Sequence, residues 1–469
     1  MSTEYPPVTP EIVDGLRQIV GGDGVHTDPG DTEKYSCDEM PVPKPRFPEV
    51  VVRPRDTTAV AGILALASDM RLPVTPRGAG TGVSGGCVPL FGGILLSLER
   101  MNRILEIDTD NQVAVVEAGV ALAELYSQVE QHGLYYPCYP GESSATIGGN
   151  LATNAGGMRA VKYGVTRNHV LGLEAVLASG SILSVGGKFV KSSTGYDLTQ
   201  LLVGSEGTLA VITKAILRLV HPPQVREVLF VPFADLRDAI RAVPDILKSG
   251  AAPTGIEFME KDIIDVAREH AGMEFPFSDS AAFLMVILEG QKPEEVYQAA
   301  SAIEAVCMGH GAVGVYLPPG EASKRRLLEA RERFYPTLKG LGPLEVADIV
   351  VPRSRIPDFI EGVREISRSC SVPVVAYGHA GDGNVHLHLL GKGIDPGEWK
   401  IRLARAFEAI YSLGTSLGGA ISGEHGLGFE KAKYLPAHMD REAVALMRAI
   451  KAAFDPKRIL NPGKVLPLD

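Results

Sequence analysis

The chain has 469 residues, of which 45% are hydrophobic and 22% charged, the balance of a packed soluble protein and not of a disordered or fibrous one. A formal charge of −10 with no offsetting basic cluster argues against a nucleic-acid partner. The longest uninterrupted apolar run, Ala281–Leu288, is the length of a buried strand and far below the ~18 residues of a membrane span.

The length suggests two or three domains. The N-terminus places acids and prolines where a signal peptide needs a basic start and an apolar core, so export is not expected. A short helical pattern covers Pro10–Val20, and a proline-rich connection ends at Pro41–Pro45. Val50–Val52 reads as a strand, followed by a helix over Thr57–Met70 with Asp56 placed to cap it. Strands are predicted at Leu72–Thr75, 94–98, 104–107 and 112–117, then a helix over 121–132 and strands at 173–178, 181–185, 209–213 and 216–220. His221-Pro222-Pro223 punctuates the chain and sets a domain boundary. Residues 1–45 then form an N-terminal helical segment, 46–222 one domain, and 223–466 a second domain with a helical C-terminal segment. The second domain alternates strands at 227–231, 254–259, 282–288, 312–316, 345–351 and 373–378 with helices at 235–248, 261–270, 293–309, 321–338 and 354–369. That pattern implies an α+β layer, an antiparallel sheet covered by helices.

Glycine is the compositional outlier, with 52 residues, many of them gathered in a few loops. The densest run is Pro76–Gly86, PRGAGTGVSGG. Gly80–Gly85 matches G-x-G-x-x-G, but the residues that follow, through Pro89 and Gly92-Gly93, cannot open the helix that a dinucleotide fold requires. The loop reads either as a nest of amides for an anionic phosphate, with Thr81 and Ser84 adding hydroxyls and Arg77 a charge, or as a plain surface turn. A second loop, Pro140–Gly157, again combines small residues with hydroxyl and amide donors, and the pair suggests an extended ligand. A third piece joins Lys191–Leu198 to Gly204-Ser-Glu-Gly-Thr208.

Four of the eleven histidines, His379, His386, His388 and His425, crowd between residues 379 and 425. Period-two alternation puts His386 and His388 on one strand face, and the Gly381-Asp-Gly383 turn can fold His379 back towards His386. Glu424 and His425 sit on a glycine-rich loop. Two imidazoles and a carboxylate suit a divalent metal with open positions, and the same residues also suit a polar strand end with satisfied histidines. The five cysteines are scattered, with no Cys-x-x-Cys pair, which argues against an internal iron–sulfur cluster and fits a reducing compartment.

PRGAGTG, PGESSATIGGNLATNAGG, YDLTQLLVGSEGTLAVIT, GHAGDGNVHLH, GEHGLG and NPGK, in this order, resemble the FAD-linked oxidase family of glycolate oxidase flavin subunits, D-lactate dehydrogenases and D-2-hydroxyglutarate dehydrogenases. The resemblance covers roughly residues 46–466. It implies a flavin domain of two α+β subdomains and a substrate-binding cap. The cofactor-binding candidates are Pro76, Arg77, Gly78, Ala79, Gly80, Thr81, Gly82 and Ser84 in the first loop. The second loop supplies Pro140, Gly141, Ser143, Thr146, Gly148, Gly149, Asn150, Thr153, Ala155 and Gly156, and the list closes with Gly164, Glu206, Gly207, Ile212 and Asn461. Some flavoproteins of the wider superfamily attach FAD through a histidine near the first loop. Residues 76–93 contain none, so the FAD is expected to be non-covalent, with Cys87 the alternative attachment point.

The resemblance further matches His379, His386 and Glu424 to ligands of one divalent metal (zinc, manganese or iron(II)) and His425 to the catalytic base. His388 competes as a ligand or lines the substrate pocket with Asn384. Arg331 matches the arginine that binds the substrate carboxylate, for which its planar fork is suited. The 2-hydroxyglutarate relatives carry a lysine on the following strand, where this chain has Val346, and Lys339 is the other cation close in sequence. D-lactate or glycolate is therefore the favoured substrate over D-2-hydroxyglutarate. A non-haem iron oxygenase would leave the flavin loops unexplained, and a flavin electron carrier would leave the metal triad unexplained. Electrons are expected to pass to an iron–sulfur subunit, an electron-transfer flavoprotein, a quinone or a cytochrome. The protein is expected in the cytoplasm, as a homodimer or hetero-oligomer, with contact to a membrane only through a partner.

Overall fold

The computed structural model describes residues 5–40 and 46–468, so the expected proline-rich connection at Pro41–Pro45 lies outside the described residues. The chain is of the α+β class and divides into two units. One comprises the chain up to Ala155 with Val165–Pro222 and the segment from Glu424 onward, and the other Gly156–Gly164 with Pro223–Gly423.

The first unit holds two sheets. Strands β1 (Val25–His26), β2 (Val50–Val52), β3 (Val74–Arg77) and β4 (Ile94–Ser97) lie in the order β1-β2-β4-β3, with β2 and β3 both parallel to β4. Val50–Val52 are fully buried, as expected of a short parallel strand covered on both faces. The helix Thr57–Met70 crosses between β2 and β3, and Asp56 caps it by accepting from the Ala59 amide at 2.8 Å. Strands β5 (Ile104–Asp108), β6 (Val113–Glu117), β7 (Val170–Leu177), β8 (Ile182–Gly186) and β9 (Ala210–Arg218) form an antiparallel sheet in the order β5-β6-β9-β7-β8. Val176 and Val211 of this sheet pack into one core with Ile63, Leu64, Val74 and Ile94. The two strands predicted over 209–220 are one strand, which takes up its irregularities as register shifts against β7. Ile459 and Asn461 bond to either side of Val74, which draws the end of the chain onto β3.

The second unit is one six-stranded antiparallel sheet. Its strands are β10 (Val225–Phe233), β11 (Gly255–Glu260), β12 (Ala282–Gly290), β13 (Leu344–Val350), β14 (Val374–His379) and β15 (Asn384–Leu390), in the order β10-β12-β11-β14-β15-β13. Helices Leu236–Lys248, Lys261–Ala271, Pro293–Gly309, Ile356–Cys370 and Pro396–Ser416 accompany it. Two predicted elements differ. Residues 312–316 meet the edge of β10 only through isolated bridges at Phe233–Ala312 and Phe230–Tyr316. Pro232 lies between these contacts, accepts from the Val313 amide and has no N–H to return, so the ladder stays open. The helix predicted over 321–338 is two helices, Gly320–Glu332 and Phe334–Lys339. Pro336 lacks the N–H that would bond to Glu332, and the helix breaks at Arg333 between them.

Candidate active site

In the first unit the three glycine loops meet. β3 ends at Arg77, and the chain then turns through Gly80 at φ +80°, a left-handed conformation that glycine adopts without strain. Among the described residues the amides of Gly78 to Gly82 donate to no backbone carbonyl, which leaves a row of donors for an anion. The second loop lies directly against the first. A Cβ on Gly78 would fall 2.2 Å from Thr146 Oγ1, and a Cβ on Gly207 would fall 3.1 Å from Pro76 Cγ. Within the second loop, Ile147–Thr153 is a helix where the sequence reads as loop, because Gly148 and Gly149 obscure the pattern. Thr146 caps it, and Gly148 packs on Ala118 so closely that a Cβ would not fit. These loops therefore fit a phosphate-bearing cofactor: amides without a backbone acceptor among the described residues, a hydroxyl at Thr81, and backbones brought close by missing side chains.

Several expected cofactor residues act within the protein. The Arg77 guanidinium, 8% exposed, donates to the Cys37 carbonyl at 2.7 Å and lies 3.2 Å from Cys87 Sγ. Desolvation pushes the Cys87 thiol up to about 11. Thr153 Oγ1 donates to the Gly149 carbonyl, and the Ile212 side chain sits in the core. Gly156 and Gly164 fall in the chain segment that belongs to the second unit. Glu206 has a left-handed backbone, φ +51°, uncommon for a residue with a Cβ. Its two carboxylate oxygens accept from the amides of Leu427 and Gly428, each at 2.8 Å. Ser84 Oγ donates to the His425 carbonyl at 3.1 Å, and Asn461 Nδ2 donates to the carbonyls of Gly86 and Glu206. The loop that carries Glu424 and His425 is thus clasped by residues of the first and third glycine loops. Burial raises the Glu206 carboxyl despite the two amides, and pushes Asp38, which accepts from the Gly85 amide at 2.8 Å, up to about 6.

The second unit gathers buried polar side chains on one sheet face. Register pairs Glu257 with His379, His386 with both Tyr377 and Asp348, and His388 with Val346. The turn at Gly381-Asp382-Gly383 closes the β14–β15 hairpin, and the ring nitrogens His379 Nε2 and His386 Nε2 face each other at 3.2 Å. His379 Nδ1 is 2.6 Å from Glu257 Oε1, and Arg331 Nη2 is 2.7 Å from Glu257 Oε2. Burial opposes ionisation of Glu257, but the neighbouring His379 ring and Arg331 guanidinium outweigh it and hold the carboxyl below its ordinary range. Arg331 lies over the Tyr377 ring at 4.5 Å and is 7% exposed, so it is no surface arginine. Its Nε is buried and finds no acceptor among the described residues. His388 stacks on Tyr377 and meets its hydroxyl at 3.1 Å. Asn384 Nδ2 donates to Asp348 and to the Ile349 carbonyl, and Asp348 also accepts from Ser422 Oγ and the Gly423 amide. Glu424 is the next residue along the chain. Glu257, Asp348 and Tyr377 were not singled out from the sequence; the available signal was a pair of acids in each of two largely apolar strands, GIEFME and LEVADIV.

Comparison with known proteins agrees with these loops. The description "FAD binding domain" matches residues 48–186, and "FAD linked oxidases, C-terminal domain" matches residues 222–465. The chain is 43% identical to a D-lactate dehydrogenase of Archaeoglobus fulgidus over 93% of this chain and 96% of that one. It is 38% identical to the glycolate oxidase subunit GlcD of Bacillus subtilis over 98% of both, and 35% identical to the mitochondrial D-2-hydroxyglutarate dehydrogenase of Bos taurus over 99% of this chain and 85% of that one. A crystal structure of p-cresol methylhydroxylase with substrate bound shares the fold, with a TM-score of 0.80 at 20% identity over 99% of both chains. The chain belongs to the FAD-linked oxidases, an oxidoreductase of the group that contains D-lactate, glycolate and D-2-hydroxyglutarate dehydrogenases. No helix among the described residues is long and apolar enough to cross a membrane.

Proposed function

We propose that the protein oxidises a small D-2-hydroxy acid, D-lactate or glycolate, to the 2-oxo acid, using non-covalent FAD and one divalent metal. The observation that carries this reading is the facing imidazole pair, His379 and His386, joined through one buried carboxylate to the buried guanidinium of Arg331. FAD supplies an acceptor for the hydride leaving the substrate Cα, and the amides of Gly78 to Gly82 with the Thr146–Gly149 turn are the residues that would hold it. A divalent ion supplies Lewis acidity at the hydroxyl oxygen, and His379, His386 and Glu424 would hold it. These donors fit such an ion. Glu257 accepts a hydrogen bond from Nδ1–H of His379, so Nε2 of the neutral ring keeps its lone pair. Glu424 follows Gly423, whose amide is tied to Asp348 beside His386.

Arg331 anchors the substrate carboxylate, using donors not spent on Glu257. His425 takes the hydroxyl proton, and its loop is steadied by Ser84 and Glu206 for that purpose. Asn384 and His388 line the pocket on the same sheet face. Val346 opposite His388 offers no cation for a second carboxylate, which favours a monocarboxylate. With no Cys-x-x-Cys pair in the chain, electrons pass to a separate acceptor: an iron–sulfur subunit, an electron-transfer flavoprotein, a quinone or a cytochrome. The naming of the Bacillus subtilis relative as a subunit supports this division of labour.

The test is an anaerobic visible spectrum before and after adding D-lactate, L-lactate, glycolate and D-2-hydroxyglutarate separately, with and without a chelator. Bleaching by D-lactate or glycolate, lost on chelation, is expected. Bleaching by D-2-hydroxyglutarate alone would move the substrate within the group, and bleaching by none would favour an electron carrier. Acid precipitation should release all of the flavin.

A further inference from the structure

We propose that Glu257 is a positioning residue that fixes the His379 ring and the Arg331 guanidinium together, so that metal affinity and substrate-carboxylate affinity depend on one side chain. This deepens the proposed function and rests on it. Glu257 is fully buried, on β11, directly opposite His379 on β14. Its two oxygens are divided: Oε1 is 2.6 Å from His379 Nδ1 and Oε2 is 2.7 Å from Arg331 Nη2. A carboxylate is the only common side chain of this length that accepts on both ends at once.

Each contact has a separate consequence. Accepting from Nδ1 fixes the His379 tautomer that presents Nε2 towards His386, 3.2 Å away. A carboxylate behind a ligating histidine orients the ring and strengthens its lone pair. The ion pair with Nη2 holds the guanidinium over Tyr377, 4.5 Å from its ring, and leaves the buried Nε–H without an acceptor among the described residues. That donor is what a substrate carboxylate would complete. The charge on Glu257 also matches the cation of Arg331, which would otherwise be buried alone.

Glu257→Gln keeps the shape but has one accepting end and one donating end, so it cannot serve both partners. In the FAD-loaded full chain stripped of metal, Zn²⁺ titrated calorimetrically should bind about 10- to 100-fold more weakly in this variant, the range for loss of an orienting partner behind a ligand. KM for D-lactate, in enzyme saturated with Zn²⁺, should rise about tenfold or more, while FAD occupancy stays at the wild-type level. Should the single variant fail to load FAD, Glu257→Gln/Arg331→Met removes both buried charges together. It should still bind Zn²⁺ about tenfold more weakly than Arg331→Met alone. Unchanged Zn²⁺ affinity in either comparison, or unchanged KM in the single variant, overturns the coupling. Wild-type protein that binds no divalent ion and is reduced by no 2-hydroxy acid overturns the functional reading itself and Glu257's role with it, a result distinguishable from failure in the variants alone.

Discussion

The glycine loops of the first unit and the histidine face of the second are built on opposite plans. The loops work by what they lack: at Gly78, Gly148 and Gly207 the missing Cβ lets one backbone lie against another, and the donors are main-chain amides. The histidine face works by side chains fixed on a sheet, with charges balanced in the interior by Glu257, Asp348 and Arg331. A site of amides is damaged by adding atoms, and a site of buried charges by removing them. The two should therefore fail independently, flavin from one and metal or substrate from the other.

The largest expected effect separates base from ligand. His425→Asn should retain FAD and metal, yet reduce its flavin in single-turnover mixing at least ~100-fold more slowly, the usual cost of a lost general base. Loss of metal in this variant would make His425 a ligand instead. Next, Arg331→Lys keeps the charge but loses the fork, and kcat/KM for D-lactate should fall roughly 30- to 1000-fold, the value of a charge-assisted bidentate contact. FAD content should not change, and steady-state kinetics beside the visible spectrum measure both.

On the other side, Gly78→Val places carbon against Thr146, where even a Cβ would be 2.2 Å from Oγ1. Overpacking of about 1–3 kcal/mol should weaken FAD binding roughly 5- to 150-fold, read by fluorescence titration of the apoprotein, while Zn²⁺ affinity stays unchanged. Simultaneous loss of both would show that the sites do not fail independently. The smallest effect is electrostatic. Asp38 is pushed up to about 6 from an ordinary 3.8, so the folded state keeps a proton that the unfolded chain has lost. Stability should then fall as pH rises from about 4 through about 6, by roughly 1–3 kcal/mol, with Glu206 acting in the same direction. Urea midpoints at pH 5 and 7.5 should differ in the wild type and converge in Asp38→Asn; equal pH dependence in both would remove Asp38 as the cause.

The same contrast explains what the sequence disclosed. Amide cradles announce themselves, because Pro76–Gly86 and Gly204–Thr208 need glycines at particular places and glycine is visible. The alternation of β15 put His386 and His388 on one face, as it must for any strand. What alternation could not reveal was the partner strands: Glu257 lies 122 positions from His379 and becomes its neighbour only through sheet order. Asp348 and Tyr377 were hidden in the same way. Proline effects were local yet missed, since Pro232 and Pro336 sit inside otherwise regular patterns and act through a missing N–H. The helix at Ile147–Thr153 was obscured by its own glycines, Gly148 and Gly149.

The clasp at Asn461 and Lys464 bears on how the chain is made. Asn461 bonds to the Gly86 carbonyl 375 positions earlier, and Lys464 to that of Val88, 376 earlier. All of Pro223–Gly423 emerges from the ribosome between those partners. The inserted unit, whose sheet is continuous within itself, can close during synthesis, whereas the glycine loops wait for Asn461 and Lys464 before their last restraints form. A nascent chain stalled before Ile459 would present a finished histidine face and, in the other unit, glycine loops not yet fastened.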